Sequence, residues 1–518
     1  MSESSQDQQG VDYSALSPRY SPSSVSPYWI SDQSNEQEYY YDSKRRRKTE
    51  NPDRISALPD SLILQILSFL RMKEVIRTGI LSKRWHLLWT SAHTLVFRYS
   101  GQSNHGVTQF VTFIDDTLLQ CQPSKLNKFS VDFHYNTRFV RHVNKWMVFV
   151  KNKSVEVLDL YLRTRGLDQL YSLPQVMYSN ACLRELSLCN CNLVPKEEIN
   201  WPLLRVLDIR YAKLKRDVVR KICSGCPVLE SLKFSMCRGV GDFDIDSKSV
   251  KKLVISGYWE KEREDSDDDD DDGDDDAELV IYAWNITSLE IRGCFHKKIL
   301  TLRNVQSLVD AKLDFYRKTD DYVGDESDYD TDGNMLKDLL VSLQHVEKLS
   351  IGTWCLQVLT LLELRNSSCP RMRCKYLTLN THMTKWELPG ISILLQSCPQ
   401  VEILNIITDP YFPEYHFGLS FKHSNNFSGE NYWISRPCWV LHLKTLRIEG
   451  IWIDENYYFE HIFSFLQVVL KNAMVLVKII IDGFEDGTYN SLMHYRRVTE
   501  KLLSFPRSSR DAVILFSG

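Results

Sequence analysis

Residues 183–209 read LRELSLCNCNLVPKEEINWPLLRVLDI and hold one pattern twice, Leu183-x-x-Leu186-x-Leu188 and then Leu204-x-x-Leu207-x-Ile209. The last two apolar residues of each copy are two apart, the period of a β-strand, so both point to one face, and the first turns in from the preceding loop. A single copy leaves that face wet, whereas copies stacked side by side bury it. Toward the N-terminus the pattern recurs at Val155-x-x-Leu158-x-Leu160 and Leu126-x-x-Phe129-x-Val131. Toward the C-terminus it recurs at Leu229-x-x-Leu232-x-Phe234, Val250-x-x-Leu253-x-Ile255, Ile286-x-x-Leu289-x-Ile291 and Val346-x-x-Leu349-x-Ile351. It continues through Leu377-x-Leu379, Val401-x-x-Leu404-x-Ile406, Leu443-x-x-Leu446-x-Ile448 and Leu476-x-x-Ile479-x-Ile481, with a less regular copy between Val305 and Leu313.

Spacings of roughly 20 to 30 residues match leucine-rich repeats. The expected fold class is α/β, a solenoid with a parallel sheet on its concave face and helices on its convex face. Asp217–Cys223 and Ile391–Ser397 have one apolar helical face and run into Cys-Pro, where proline stops the helix and resets the chain for the next strand. Cys191, Cys237 and Cys294 stand three residues beyond Leu188, Phe234 and Ile291, the position where this repeat type favours Asn or Cys, so these thiols are read as structural. Cys223-x-x-Cys226 has no second pair at zinc spacing, and no metal is expected.

The array is assigned to residues 99–442, with acidic insertions near 260–277 and 318–334. The first contains EDSDDDDDDGDDD at 264–276 and the second TDDYVGDESDYDTDG at 319–333. Both carry an Asp-x-Asp-x-Asp-Gly string, but the twelfth position of a calcium loop, which needs a bidentate Glu, falls on Leu279 and Leu339. Self-repelling loops are expected instead, with docking of a basic partner or substrate tail as the competing reading. Residues 443–518 run strand, long helix around Tyr457–Lys471, strand Val475–Ile481, helix around Leu492–Leu503, Pro506, and a last strand Ala512–Phe516, and are expected to cap the open sheet edge. Leu470-Lys471-Asn472-Ala473 and Leu503-Ser504-Phe505-Pro506-Arg507 in this layout resemble the FBD module that closes many plant F-box proteins.

Ahead of the array, residues 53–97 read DRISALPDSLILQILSFLRMKEVIRTGILSKRWHLLWTSAHTLVF, within an expected domain at 53–98. Pro59 suits a helix start and Asp60 answers the positive end of the helix dipole. At roughly 100° per residue, Leu62, Ile63, Leu64, Ile66, Leu67, Phe69 and Leu70 cover an arc of about 220°, twice what one core needs. A short helix from Met72 breaks near Gly79, and Ser82 caps a third helix with Trp85, Leu88 and Trp89 at i, i+3 and i+4. So small a segment cannot bury that much apolar surface on itself, and the surplus implies a protein partner.

Leu58-Pro59, Ile66-Leu67-Ser68-Phe69-Leu70, Leu81-Ser82-Lys83-Arg84-Trp85 and Leu88-Trp89 resemble, in order and spacing, the F-box of plant F-box/leucine-rich-repeat proteins. The resemblance implies docking of Leu58, Pro59, Leu62, Ile63, Ile66, Leu67, Leu70, Leu81, Trp85 and Leu88 onto a Skp-type adaptor, and through it to a cullin and a RING subunit. Arg71 stands where the family usually has Pro and is expected to lengthen the first helix by a turn.

Residues 1–52 are rich in Ser, Gln, Pro and Tyr and are expected to be a disordered tail, in which Lys44, Arg45, Arg46, Arg47 and Lys48 form a compact basic run read as a nuclear-localisation signal, with a solvated charged flank before the domain boundary as the competing reading. With 43% hydrophobic and 25% charged residues the chain has the composition of a folded domain. No apolar run reaches the ~18 residues of a membrane span and no signal peptide opens the chain. A net charge of −4 gives no general case for nucleic acid, and thirteen cysteines fit a reducing compartment, hence nucleus or cytoplasm.

No nucleotide-binding, hydrolase, metalloprotease or kinase motif is present. The expected function is the non-catalytic, substrate-recruiting subunit of an SCF-type cullin-RING ubiquitin ligase that needs no cofactor, with an unknown protein target held on the repeats. The competing readings are a repeat scaffold acting outside a ligase and a receptor in which a small molecule completes the recognition surface.

Overall fold

The computed structural model describes Ile55 and residues 58–517, apart from 165–168, 240–241, 259–277, 297–298, 319–325, 409–432, 434–439, 452–458, 484–495 and 497–498. The basic run at 44–48, the acidic run at 264–276, Trp439 and Trp452 therefore lie outside the described residues.

Two short helices open the described chain, α1 (Asp60–Leu67) and α2 (Met72–Arg77). Beyond them the strand pattern builds one 15-stranded sheet whose strands follow sequence order and pair in parallel. Its first strand is Thr94–Arg98 and its last is Val513–Ser517. Register puts the repeated apolar positions side by side: Leu95 against Phe129, then Leu158, Leu186, Leu207, Leu232, Leu253 and Leu289. The ladder continues through Ala311, Leu349, Leu377, Leu404, Leu446, Ile479 and Ile514. A second ladder two residues on runs from Phe97 to Phe516 in the same way. Nearly all of these side chains are buried, each stabilising the stack by about 1.5–3 kcal/mol.

Helices cover the buried side near both ends. They are α3 (Asn104–Gln120), α4 (Val140–Asn152) and α5 (Arg216–Gly225), and later α6 (Glu326–Ser342), α7 (Thr353–Leu364), α8 (Leu388–Ser397) and α9 (Phe459–Asn472). α7 and α8 are apolar around most of their circumference because each is enclosed. They approach so closely that a Cβ on Gly390 would sit 1.9 Å from the Leu356 carbonyl oxygen, and the Gly390 N–H donates to Thr360 Oγ1 at 2.9 Å.

In the middle of the array the covering layer is not helical. Strands Asp242–Asp244, Glu278–Tyr282 and Ile299–Arg303 form a second parallel sheet between α5 and α6. ELVIY and ILTLR alternate buried and partly exposed residues, a period-two pattern that a helix does not accommodate.

Three local expectations are corrected. Arg71 does not lengthen α1: the helix ends at Leu67, where Ser68 Oγ donates to the Gln65 carbonyl. Arg71 is extended (φ −74°, ψ 149°), a conformation proline also takes, and its N–H donates to Glu74 Oε2 to start α2. The expected third helix is a run of turns followed by a 3-10 helix at Leu88–Ser91. The second acidic insertion is not a loop throughout, since α6 begins at Glu326 and Asp330 pairs with Arg365.

Candidate functional site

α1 divides its apolar arc. Ile63 and Leu67 face inward and join Met72, Val75, Trp85 and Trp89 in a core continuous with Leu95 and Phe97 of the first strand. The opposite side is open: Leu62 and Ile66, one turn apart, are exposed, and Phe69 just beyond the helix is 83% exposed. The following turns add Ile80 (88% exposed), Leu81 and Leu87.

Of the residues expected to dock a partner, Pro59, Leu62, Ile66 and Leu81 are at the surface, and Leu58, Leu70 and Leu88 are half-buried against the core. Ile63, Leu67 and Trp85 are corrected: they are taken up by the chain's own core and are not available to a partner in this conformation. Phe69, Ile80 and Leu87 were missed as surface groups, although Phe69 already lay on the over-wide apolar arc. A scaffold of polar contacts fixes this surface. The Pro59 carbonyl accepts from the N–H of Leu62 and Ile63 at 3.0 and 3.1 Å. Arg84 donates to the Leu58 carbonyl at 2.7 Å and through Nε to Asp60 at 2.9 Å, tying the second motif to the head of α1. Ser82 Oγ accepts from the Trp85 N–H at 3.4 Å.

The second candidate surface is the open face of the large sheet, formed by the residues between the apolar ladders. Its charges are largely satisfied within the face. Arg163 reaches Asp132 at 2.7 Å, and Arg210 and Lys233 share Asp208 at 2.6 and 3.3 Å. Lys312 lies between Glu290 and Asp314 at 3.7 and 3.5 Å, and Asn380 Nδ2 donates to Asp314 at 2.9 Å. Gly352 lets that last bond cross a strand, because a Cβ there would stand 2.1 Å from Asp314 Oδ1. Hydrogen bonding to Asp208 raises the Arg210 pKa, and hydrogen bonding to Asp482 raises that of Arg447.

Tyrosines rather than tryptophans mark this face. Tyr161, Tyr316 and Tyr376 alternate with buried ladder residues, and burial pushes the Tyr316 hydroxyl up to about 12. Trp201, Trp354 and Trp433 are buried, while Trp284 is half-exposed just past the second sheet's strand Glu278–Tyr282. Cys191 and Cys237 donate to backbone carbonyls of Cys189 and Ile209 at 3.5 Å each. Burial lifts Cys223 and Cys226 to about 12, and no group of three His, Cys, Asp or Glu able to hold a metal occurs among the described residues.

Comparison with known proteins matches both regions of the chain. The F-box domain family matches residues 55–96, and the repeat family described as FBD-associated F-box protein At5g56370, LRR repeats, matches residues 143–267. The chain is 28% identical to the F-box/LRR-repeat protein At3g18150 of Arabidopsis thaliana over 485 residues, covering 91% of this chain and 94% of that protein. It is 27% identical to At3g03360 of the same plant, an F-box/LRR-repeat protein, over 90% of this chain and 92% of the relative. It is 30% identical to the Arabidopsis F-box protein At1g49610 over 69% of this chain and 85% of that protein. The helical clip built on α1, the parallel repeat sheet and these matches together make the chain a member of the plant F-box/leucine-rich-repeat family.

Proposed function

We propose that this protein is the target-recruiting subunit of an SCF-type cullin-RING ubiquitin ligase. The F-box and repeat relatives point to an adaptor-type recognition protein rather than a catalyst. The finer reading is that the F-box docks on a Skp-type adaptor, and through it on a cullin and RING subunit, while the open sheet face holds a protein target. The observation that carries it is the split of α1, with one side anchored in the array's core and Leu62, Ile66 and Phe69 facing outward. An apolar set held rigidly at the surface fits a standing protein interface. The chain's contribution is proximity: tethering a target lysine near a charged conjugating enzyme raises effective concentration without new catalytic groups. In this reading Ile63, Leu67 and Trp85, which are buried, serve to position that surface.

The test is reconstitution with a Skp-type adaptor, cullin and RING subunit. The proposal expects a stoichiometric complex and ubiquitin transfer to captured targets. Retention of the adaptor without cullin or target turnover would favour a scaffold outside a ligase. Deleting residues 54–98 is a poor control, because it removes the first strand of the sheet along with the F-box. The same proposal places the protein in the nucleus or cytoplasm, with Lys44, Arg45, Arg46, Arg47 and Lys48 as the import signal. Alanine at all five positions is expected to shift a fluorescent fusion out of the nucleus, and unchanged nuclear signal would sink that assignment.

A further inference from the structure

α4, VRHVNKWMVFVKN, contains no Asp or Glu. Its inner side, Val143, Trp146, Met147 and Val150, is buried. Its outer side presents Arg141, Lys145 and Lys151, and among the described residues no carboxylate comes within ion-pair distance of them. Arg138, just before the helix, has among the described residues only neutral partners, the carbonyl and side-chain oxygens of Asn104 at 3.3 and 3.2 Å and the ring of Phe139. The neighbouring helix α3 offers Asp115, but its two oxygens accept from Trp146 Nε1 at 2.7 Å and lie 2.6 Å from His142 Nδ1. Asp116 of α3 is exposed and joins none of these cations. Some exposed cations elsewhere are paired, as Arg84 with Asp60, Arg205 with Glu230 and Lys444 with Glu402, while others such as Lys73 and Lys196 are single among the described residues; α4 differs in grouping its cations on one face.

The same outer side carries apolar groups. Val140 and Val148 lie two helical turns apart and are 37% and 49% exposed, and Val176 of the adjoining turn Gln175–Met177 is 43% exposed. Asn144 lies between the two valines and accepts from the Tyr171 hydroxyl at 2.8 Å, which joins the helix to the next repeat. Arg141 and Lys145 are at i and i+4, where like charges disfavour a helix, and among the described residues no carboxylate compensates them. A local rule broken without internal compensation marks a functional surface.

We propose that this face docks an acidic amphipathic segment of a partner protein, its carboxylates over Arg138, Arg141, Lys145 and Lys151 and its aliphatic side chains on Val140, Val148 and Val176. Charge complementarity selects the partner: the chain as a whole carries a net charge of −4, so this positive patch attracts an acidic segment against the general sign of the molecule. The site is separate from adaptor docking and from the open sheet face, and its test does not depend on either.

The experiment uses the full chain and synthetic fluorescent peptides of equal length: an amphipathic Glu/Leu helix, the same peptide with Lys for Glu, and poly-glutamate. The Glu/Leu peptide is expected to bind, more weakly as salt rises, while the Lys/Leu peptide does not. Arg141→Glu/Lys145→Glu/Lys151→Glu is expected to weaken binding by at least about tenfold, at roughly two- to threefold per exposed charge contact. Lys478→Glu, a reversal on the far end of the sheet, is expected to leave it unchanged. If the charge-reversed chain melts early, the Gln substitutions at the same three positions give the readout with the fold intact. Equal binding by the triple variant, or equal loss with Lys478→Glu, overturns the proposal. Poly-glutamate binding as tightly as the Glu/Leu peptide removes the valines from it, and stronger association with phosphatidylserine vesicles than with either peptide replaces it with a lipid-directed face.

Discussion

The F-box and the repeat array draw on the same aliphatic residues and place them oppositely. In the array, Leu207 is one rung of a ladder that has a neighbour on each side, so repetition buries it completely. In the F-box, α1 has the turn Leu88–Ser91 on one side and, among the described residues, no element on the other, so Ile63 is buried while Ile66, three residues on, is exposed. Residue type does not separate the two; the number of neighbouring elements does. A solenoid supplies its own partners, and a short clip at its end must find one elsewhere.

That contrast is open to attack at several strengths. Leu207→Asp places an unpaired charge inside the ladder and is expected to abolish cooperative folding of the surrounding repeats, a loss of more than about 4 kcal/mol followed by urea denaturation. A mild effect would mean the ladder is not continuous. Ile63→Ala should cost about 2–5 kcal/mol and lower the melting temperature, because it removes buried methylenes. Ile66→Ala, on the same helix, should stay within about 0.5 kcal/mol. Equal costs for the two would erase the division of α1.

Glu387 tests the array from within. Its carboxyl is fully buried; Oε2 accepts from the N–H and hydroxyl of Thr384, and burial raises its pKa against the opposing pull of hydrogen bonds from Thr384, His382 and Thr381. The folded state therefore holds the proton more tightly than the unfolded chain, so stability declines as pH rises above the ordinary carboxylate pKa of about 4.3. Glu387→Gln should raise the melting temperature at neutral pH by about 2 °C and flatten that decline. A lower melting temperature would show that the hydrogen bonds from Thr384, His382 and Thr381 outweigh the burial of the charge. The smallest effect belongs to the surface: Arg205→Ala breaks an exposed pair with Glu230 and should change stability by less than about 0.5 kcal/mol.

The sheet was legible because its signal repeats: a period-two pair recurring along the chain specifies strand, face and neighbour together. Where the rung is small the signal fades. Ala311 fills the ladder position of strand Asp310–Lys318, and its copy read as irregular. Leu95 and Phe97 were readable as apolar but belonged, by motif, to the F-box, so the first strand of the sheet was not separated from it. The second sheet escaped because ELVIY and ILTLR are short and stand where a helix is the usual covering element. At the site, sequence showed that α1 carries too wide an apolar arc. It did not show which side faces inward, since that depends on contacts with Trp85, Trp89 and the first strand, all distant along the chain. Arg71 was misread because its extended backbone depends on Glu74 capping the next helix.

The most direct measurement is adaptor co-purification with Ile66→Ser/Phe69→Ser/Leu81→Ser, a variant confined to exposed side chains and checked for an unchanged melting temperature. The account predicts loss of the Skp-type adaptor by at least about a hundredfold in affinity, each exposed anchor contributing roughly 1–2 kcal/mol. Adaptor binding at the unsubstituted level by a normally folded variant would contradict it.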